Sequence, residues 1–575
     1  MDDVGRALIQ TRDRSWLAFE RPIRVFSATD HGEVATVIRE VEALVLAHGW
    51  HAVGAVAYEA GGAWGLPVGI PAVGMPLVWF GLYPGERVTT VTGPRRDGQF
   101  LVSGLTPTDD RRQFEEAFER VHRHLAEGDS YQVNYTFQMA GSFEGSAVSL
   151  FSDLVGAQRP GAAAFIDLGR YAICSASPEI FFERRGRTLS ARPMKGTTRR
   201  GRTTAEDLVQ RDTLRSSPKQ QAENVMIVDM MRNDLGRIAD VGSVDVPSLF
   251  DAERYPNVWQ MTSVVTAQSS AALAEIFQAL HPSCSVTGAP KVRTMAILQE
   301  LEHQPRGIYT GAIGHVAPGG DARFNVAIRT AVVDRVAGQV RFGVGSGLVW
   351  DSNAGDEYDE CLLKGSILGG PVPDFELLET LRWSPQEGFW LLDRHLDRLQ
   401  DSAEYFGTSV DTSAVRAALT AAVAEATISL RVRLLVNGDG GIRVEQSPFT
   451  PSREPVVLRL ARTPVDAADV FLFHKTTRRQ QYDGRRLAGC DDVVLWNEEE
   501  QITETTIANV LAEVDGEVVT PPVECGLLAG TCRADLLQRG EVREQRLSIA
   551  DLRRANRLWV TNAVQGRRSA VLLDD

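Results

Sequence analysis

The chain has 575 residues, which at about 150 residues per domain predicts roughly four folding units and excludes a single small module. Its 61 Lys and Arg against 75 Asp and Glu give a net charge of −14, and 43% hydrophobic with 24% charged residues is ordinary globular composition. The composition excludes a disordered chain and a basic nucleic-acid binder by bulk charge, although clustered cations can still bind an anionic substrate.

The N-terminal region predicts no targeting or membrane segment. Its first residues, MDDVGRALIQTRDRSW, open with acids and develop no apolar core, which argues against a signal peptide. Residues 60–85 are uncharged over a length that could span a bilayer, but seven Gly and four Pro would break a helix there, so we expect loops leading into a buried strand, MPLVWFGLY. Six scattered cysteines without a CxxC pair indicate reduced thiols in a cytoplasmic protein with no membrane partner.

Beyond residue 100, apolar strand-like runs alternate with helical patterns. In residues 111–128, Phe114, Phe118, Val121 and Leu125 recur every three or four residues, which predicts an amphipathic helix that Gly128 ends. Similar patterns predict helices over 220–239 and 289–302, and strands are predicted over 170–177, 179–185, 323–333 and 338–350.

A Gly/Pro-rich run, GGPVPDF at 369–375, follows a helix that we expect to end near Leu368 and precedes a fresh strand, ELLETLRW. This run predicts two domains, residues 1–369 and 370–575.

Several polar or Gly-rich segments of the first domain stand where a plain core would not need them. They are GDSYQVNYT (128–136), SASPEIFFE (175–183), RPMKGT (192–197), AENVMIVDMMRND (222–234), SVTGAPK (285–291), GAIG (311–314), IRT (328–330), GVGSGLVWDS (343–352) and DEYDECLLK (356–364). In this order, over roughly residues 100–368, they resemble the chorismate-utilising enzymes of the aminodeoxychorismate synthase component I family. The resemblance implies chorismate as substrate and an α+β or α/β sandwich with large antiparallel sheets.

Two carboxylates are candidate magnesium ligands. Glu223 opens an apolar helical run, so we expect it near the positive end of a helix dipole, and Glu360 lies in a late helix. Carboxylates from distant segments are a typical way to hold magnesium with positions left for an anionic substrate, and the resemblance implies that these two are the metal ligands.

Because chorismate carries two carboxylates, its site needs cations and backbone donors. The resemblance implies that Arg329 and Lys364 anchor the substrate and that Tyr309 contributes a hydroxyl. Gly343, Gly345 and Gly347 permit close backbone approach. A dinucleotide loop is a poor reading of GVGSG, because no helix follows promptly and the third Gly is misplaced.

Lys195 discriminates among reactions, because the anthranilate-forming relatives have alanine at the matching position. A lysine in a desolvated site next to other cations is a competent nucleophile. The resemblance implies that Lys195 attacks carbon 2 of the ring while Glu179, kept protonated by burial, acts as general acid for the departing hydroxyl. Many relatives have a histidine where this chain has Trp259 and Gln260, so we expect no catalytic histidine there.

The sequence contains no GxCxG nucleophile elbow of a glutamine amidotransferase. We therefore expect ammonia to come from a glutaminase subunit on a separate chain, or as free ammonia in vitro.

The second domain has a different signature. Its segments ETLRW (379–383), LLDRHLDRL (391–399), FLFHKTTRRQQYD (471–483), ITETTIANV (502–510), GLLAGTCR (526–533) and WVTNAVQG (559–566) resemble fold-type IV pyridoxal phosphate enzymes, and among them the 4-amino-4-deoxychorismate lyase family. The resemblance implies a two-lobed fold, pyridoxal 5'-phosphate as cofactor, and a possible homodimer, since enzymes of this type commonly pair.

The cofactor needs a lysine for its aldehyde, an acid at its ring nitrogen and donors for its phosphate. Lys475, after an apolar strand VFLFH, matches the first, and Glu504, in a strand TETTIANV, matches the second. Arg398 matches the third, together with the Gly530–Thr531 turn. Thr561 and Asn562 are further candidates on the phosphate side.

These features predict a bifunctional enzyme that converts chorismate to 4-aminobenzoate for folate. One alternative is an anthranilate or salicylate synthase-like unit joined to a class IV aminotransferase, since transaminases share the second fold. The other is a degenerate scaffold that recruits the glutaminase, against which the intact candidate residues argue.

Overall fold

A computed structural model describes residues 4–369 and 375–573. The chain forms two compact units, one from Met1–Arg199 and Arg211–Val372, the other from Arg200–Gln210 and Pro373–Asp575. The predicted boundary at 369 and 370 touches residues outside the described ranges. The second unit takes in residues 200–210, which no sequence signal set apart.

In the first unit, eight helices and twenty strands lie within the described ranges. The helices are α1 (His31–His48), α2 (Arg111–Ala126), α3 (Ala147–Gln158), α4 (Thr204–Ser216, which begins in the segment 200–210), α5 (Pro218–Gly236), α6 (Leu273–Leu280), α7 (Lys291–Leu301) and α8 (Ala354–Gly365). The strands are β1 (Ala7–Gln10), β2 (Trp16–Phe19), β3 (Arg24–Ala28), β4 (His51–Val56), β5 (Val78–Tyr83), β6 (Val88–Val91), β7 (Phe100–Pro107), β8 (Gln132–Gly145), β9 (Ala162–Asp167), β10 (Tyr171–Ser177), β11 (Ile180–Arg185), β12 (Thr188–Ala191), β13 (Met194–Arg199), β14 (Asp245–Arg254), β15 (Val258–Gln268), β16 (Gly288–Ala289), β17 (Ala312–Val316), β18 (Ala322–Val326), β19 (Thr330–Asp334) and β20 (Gln339–Leu348).

These strands form two large antiparallel sheets, which confirms the expected fold class. The first runs β16-β8-β20-β19-β10-β9-β1-β2-β6, with β7 also on β8, and the second runs β13-β15-β12-β11-β18-β17-β4-β5-β3, with β14 also on β15. The larger apolar core takes residues from both sheets, such as Ile173 of β10 and Phe182 of β11, and a second core lies between the first sheet and helices α2, α3, α7 and α8. In α1, Val34, Ile38, Val41 and Val45 repeat at helical spacing and are fully buried in the larger core.

The predicted helices are confirmed within a few residues. Asp110 begins α2 with a capping box to Gln113, and a proline starts α5. No helix in the described ranges is long and apolar enough to cross a membrane. The uncharged segment 60–85 ends in β5 as expected. All six cysteines are free thiols, and five of them are buried.

Two expectations for the first unit are wrong. Residues 323–333 are not one strand, because β18 and β19 belong to different sheets and Arg329, at φ +51°, turns the chain between them. Glu223 does not open its helix, since α5 begins at Pro218, so the dipole argument for this carboxylate is weakened.

The second unit has two sheets with separate apolar cores, as expected for two lobes. The strands are β21 (Leu377–Ser384), β22 (Gly388–Phe389), β23 (Leu430–Val436), β24 (Ile442–Pro448), β25 (Val456–Leu460), β26 (Asp492–Trp496), β27 (Ile502–Thr505), β28 (Asn509–Val514), β29 (Glu517–Thr520), β30 (Arg543–Glu544), β31 (Leu558–Asn562) and β32 (Gly566–Leu572). The helices are α9 (Leu392–Phe406), α10 (Thr412–Ala422), α11 (Gln480–Asp483), α12 (Thr531–Gln538) and α13 (Ile549–Arg554). One sheet runs β22-β21-β23-β24 and the other β27-β26-β25-β32-β31-β28-β29-β30.

Two strand predictions for the second unit are also wrong. The run before Lys475 contains a short 3-10 helix, Val470–Leu472, in place of a strand. The run TETTIANV breaks after Thr505, the last residue of β27, and resumes as β28 at Asn509. Both runs are short, and periodicity does not separate strand from other structure at that length.

Candidate active sites

Lys195 lies on β13 and Glu223 on α5, with the ammonium 3.5 Å from the carboxylate and both side chains about one-fifth exposed. A Cβ on Gly347 of β20 would lie 3.1 Å from Nζ of Lys195 and 2.9 Å from Nε2 of Gln132. Gly347 therefore leaves room for both side chains. The charged group paired with Lys195 is the carboxylate of Glu223, whereas we expected neighbouring cations.

The other candidate carboxylate, Glu360, belongs to the same cluster. Nζ of Lys364 lies 2.6 Å from Oε1 of Glu360 and donates to the carbonyl of Gly345 over 2.9 Å. Partial desolvation raises the pKa of Glu360, whose side chain is 57% exposed, but the charges of Lys364, Lys195 and Arg329 outweigh it and leave that pKa below its ordinary value. Both candidate carboxylates are thus electrostatic partners of Lys195.

The candidate glycines Gly343, Gly345 and Gly347 lie on β20. A Cβ on Gly343 would be 2.0 Å from the buried ring of Tyr309, and one on Gly345 would be 2.7 Å from the carbonyl of Tyr135. Arg329 donates to the carbonyl of Lys364 over 3.4 Å. The structure therefore brings the candidate glycines together with Tyr309, Arg329 and Lys364.

Glu179 is fully buried, and burial raises its pKa to about 7, which a hydrogen bond from Ser285 partly offsets. The Ser285 hydroxyl donates to Oε1 of Glu179 over 2.6 Å and pairs with the hydroxyl of Ser283 at 2.9 Å. A carboxyl group of this kind keeps a proton near neutral pH.

Two polar residues of the first site were not singled out from the sequence. Ser285 lies in the segment SVTGAPK, and its hydroxyl just before the buried turn was the signal that could have marked it as a candidate. Asn224 is buried on α5, donates to the carbonyl of Lys195 over 2.9 Å and accepts from Ser263 over 2.6 Å. It fixes the main chain of β13 at the lysine.

Where we expected no catalytic histidine, Trp259 packs with Leu214 and Met261, and Gln260 accepts from Thr197 over 2.9 Å. These contacts are structural.

The second unit contains a cavity of about 560 Å³. Lys475 and Glu504 line it; Glu504 is buried and Lys475 is partly buried. Burial and then the cation of Arg398 lower the pKa of Lys475 to about 8, and burial raises the pKa of Glu504 to about 7. Glu504 accepts hydrogen bonds from Tyr482 over 2.8 Å and from the amide of Leu528 over 3.0 Å.

Arg398 is held by Glu379, a residue of the ETLRW motif for which no role was predicted. Arg398 donates to both carboxylate oxygens of Glu379, over 2.8 and 2.6 Å, and to the carbonyl of Ala529 over 3.0 Å. Although burial raises the pKa of Glu379, Arg398 and His395 hold it down at about 2. Arg398 keeps further N–H groups for an anion, because a guanidinium has five.

Gly530 and Thr531 begin α12 at the edge of this cavity, where amides at the helix N-terminus favour an anion. A Cβ on Gly530 would lie 1.9 Å from Oδ1 of Asn509. Thr561 and Asn562 also line the cavity, with Thr561 donating to Sγ of Cys532 over 2.9 Å and Asn562 accepting from the amide of Val564 over 3.0 Å. All the residues predicted for this site therefore meet at one cavity.

The cavity wall is strongly cationic. Among the described residues that line it, one acid, Glu504, stands against one lysine and six arginines: Lys475, Arg398, Arg431, Arg433, Arg479, Arg486 and Arg568. In a chain of net charge −14, this concentration favours an anionic ligand in the cavity.

Residues 85–369 match the chorismate binding enzyme family, and residues 376–571 match the class IV amino-transferase family. The chain therefore contains a chorismate-binding domain joined to a class IV aminotransferase domain.

Among characterised proteins, aminodeoxychorismate synthase component 1 of Klebsiella aerogenes is 40% identical over 262 residues, which are 45% of this chain and 58% of that relative. The chain thus spans less than two thirds of the relative's length. Anthranilate synthase component I from Streptococcus pneumoniae TIGR4 has the fold of the first unit, with a TM-score of 0.52 at 22% identity over 64% of this chain and 92% of that one. A putative amino-acid aminotransferase from Mesorhizobium loti is 40% identical over 35% of this chain and all of that chain, with a TM-score of 0.34.

Proposed function

We propose that the chain is a bifunctional enzyme that aminates chorismate to 4-amino-4-deoxychorismate and then releases pyruvate to give 4-aminobenzoate for folate synthesis. The observation that carries this proposal is the cationic wall around Lys475 in a chain whose other domain matches the chorismate binding enzyme family. Aminodeoxychorismate is a dicarboxylate, so several arginines suit it better than they suit an apolar amino acid.

In the first step, Nζ of Lys195 attacks ring carbon 2 of chorismate and the hydroxyl on carbon 4 leaves as water with a proton from Glu179. Ammonia then adds at carbon 4 and expels the lysine from carbon 2. Arg329, Lys364 and Tyr309 bind and orient the two substrate carboxylates. A pKa of about 7 leaves Glu179 largely protonated below neutral pH, as a general acid requires.

Magnesium suits the donors of this site, since Glu223 and Glu360 are carboxylates that flank Lys195. These two residues would hold the ion, which would supply positive charge against the substrate carboxylates.

Pyridoxal 5'-phosphate suits the second cavity, because a lysine, a buried acid and a helix N-terminus with a nearby arginine meet there. Bound there, the cofactor would withdraw electrons from the carbon that carries the substrate amine. Glu504 would keep the ring nitrogen protonated, and Arg398 with the amides at Gly530 and Thr531 would bind the phosphate. Nζ of Lys475 would take the proton from ring carbon 4 as pyruvate departs and the ring becomes aromatic.

We further propose that the ammonia comes from a glutamine amidotransferase on a separate chain, since the relatives are named as component 1. We also propose a cytoplasmic location and pairing of two copies of the chain.

The test supplies purified full-length protein with chorismate, Mg²⁺, an ammonium salt and pyridoxal phosphate. We expect equal amounts of 4-aminobenzoate and pyruvate, and we expect Lys475→Ala to stop at aminodeoxychorismate. Formation of anthranilate or salicylate would overturn the first step. Transfer of amino groups between amino acids and 2-oxo acids, without pyruvate release from supplied aminodeoxychorismate, would overturn the second.

A further inference from the structure

A segment from the first half of the sequence is built into the second unit. Residues Arg200–Gln210 follow β13, the strand of Lys195, directly in the chain, yet they pack within the unit of Lys475. Nothing in the proposed chemistry of either site uses these residues.

The segment has a rigid internal arrangement. Asp207 accepts from Nε of Arg200 over 2.6 Å and from the amide of Gly201 over 3.0 Å, with both charged side chains about 95% buried. Arg202 is held by Glu206 through two hydrogen bonds, over 3.1 and 2.8 Å. These ion pairs fix the orientation of both guanidinium planes.

The segment contacts the residues directly before Lys475. The guanidinium of Arg202 lies 4.9 Å from the ring centre of Phe473 and donates to the carbonyls of Ala467 and Glu524, each over 3.3 Å. The carbonyl of Gly201 accepts from the hydroxyl of Tyr405 over 2.7 Å.

Tyr405 connects residues 200 and 201 to His474, the residue directly before Lys475. Its ring centre lies 4.3 Å from the ring of His474 and 4.3 Å from the guanidinium carbon of Arg200. Nδ1 of His474 bonds to the hydroxyl of Ser402 at 3.0 Å. The carbonyl of Lys475 itself accepts from the amide of Leu378 over 2.9 Å. The turn 473–475 is therefore held by β21 and α9 together with residues 200–202.

We infer that residues 200–210 are a positioning segment for Lys475, and that Arg202 and Tyr405 fix the turn from which the lysine side chain enters the cavity. The inference rests on the proposed role of Lys475. A lysine that bonds to a cofactor and moves a proton tolerates little displacement, so loosening its turn slows the second reaction and leaves the first unchanged.

The test uses the full-length chain with Arg202→Ala and, as a matched control on α4, Arg211→Ala, whose side chain bonds to the adjacent Asp212. Hydrogen exchange of peptides covering residues 471–476 is measured in cofactor-free protein. We expect about tenfold faster exchange in Arg202→Ala and no change in the control.

Two further readouts use cofactor-loaded protein. We expect Arg202→Ala to shift the pH midpoint of the bound cofactor's absorbance and to lower kcat for pyruvate release about ten- to a hundredfold, with chorismate amination unchanged. Tyr405→Phe keeps the ring and removes only the bond to Gly201, so we expect a smaller shift of the pH midpoint and a smaller fall in kcat. If Arg202→Ala is unfolded, Tyr405→Phe provides the test of the inference.

Wild-type exchange, absorbance and pyruvate release in both variants would overturn the inference. Lys475→Ala separates this outcome from failure of the proposed function. If Lys475→Ala releases pyruvate at the wild-type rate, the proposed role of the lysine is wrong and the inference fails with it. If Lys475→Ala is inactive while Arg202→Ala and Tyr405→Phe behave as wild type, only the inference fails.

Discussion

The hydroxyl of Ser285 donates a 2.6 Å hydrogen bond to the buried carboxyl group of Glu179. Burial raises the pKa of Glu179 to about 7, and the serine opposes that shift. Since the general acid must be protonated, we predict that kcat for amination falls as pH rises through about 7. Ser285→Ala removes an interaction that lowers the pKa, so the fall should move to higher pH and the maximum rate should drop about tenfold. A pH profile of amination checks this, and an unchanged midpoint in Ser285→Ala would contradict it.

Gly347→Ala should impair amination selectively. The new methyl group would lie 3.1 Å from Nζ of Lys195 and 2.9 Å from Nε2 of Gln132, so the nucleophile must move. We expect a loss of about a hundredfold in kcat/KM for chorismate, with pyruvate release from supplied aminodeoxychorismate unchanged. Gly156→Ala in α3, where a Cβ meets nothing within 4 Å, is the control and should raise stability by about 1 kcal/mol without affecting either reaction. Equal effects of the two substitutions on amination would refute the prediction.

Removal of divalent metal should separate the two reactions. Glu223 and Glu360 are the proposed ligands in the first unit, while the cavity of the second unit contains one carboxylate, Glu504, among the described residues that line it. We therefore expect a chelator to stop amination and Mg²⁺ to restore it, while pyruvate release continues throughout. Glu360→Gln should raise the Mg²⁺ concentration needed for half-maximal amination at least about tenfold. A chelator that stops both reactions equally would count against this assignment.

Cofactor binding should depend on pH through Lys475. Only the neutral amine attacks an aldehyde, and burial with neighbouring cations lowers the pKa of this lysine to about 8 in place of its usual value near 10.5. The rate at which cofactor-free protein takes up pyridoxal phosphate should therefore rise with pH to a midpoint of about 8. Arg479→Met removes one of the cations that lower this pKa, so its midpoint should lie higher. Stopped-flow absorbance measures the rate, and a midpoint near 10 in the wild-type protein would contradict the prediction.

Sequence patterns predicted the elements whose residues repeat regularly. The spacing of Phe114, Phe118 and Val121 located α2, and apolar runs located β5, β10, β11 and β20 of the two large sheets. The break between β18 and β19 escaped prediction because Arg329, a residue that rarely adopts positive φ, makes the turn.

The candidate residues were found by motif, but their partners were not. Glu379 and Arg398 are 19 residues apart, and only packing of β21 against α9 brings them into hydrogen-bond contact. The ion pair of Lys195 with Glu223 likewise depends on how β13 packs on α5. Tertiary packing decides which of these residues pair, and neither periodicity nor local spacing in the sequence predicts that packing.

The segment 200–210 also has a consequence for the order in which the chain folds during synthesis. Arg202 and the carbonyl of Glu524 that it contacts are separated by 322 residues. At about 5–20 residues per second, a ribosome needs roughly 15 to 65 s to add that length. During this interval Arg202 has emerged without the carbonyl of Glu524, and Tyr405, which bonds to Gly201, is itself made 204 residues after that glycine. The second unit is therefore a late, high-contact-order assembly, although part of it is among the first 210 residues to be made.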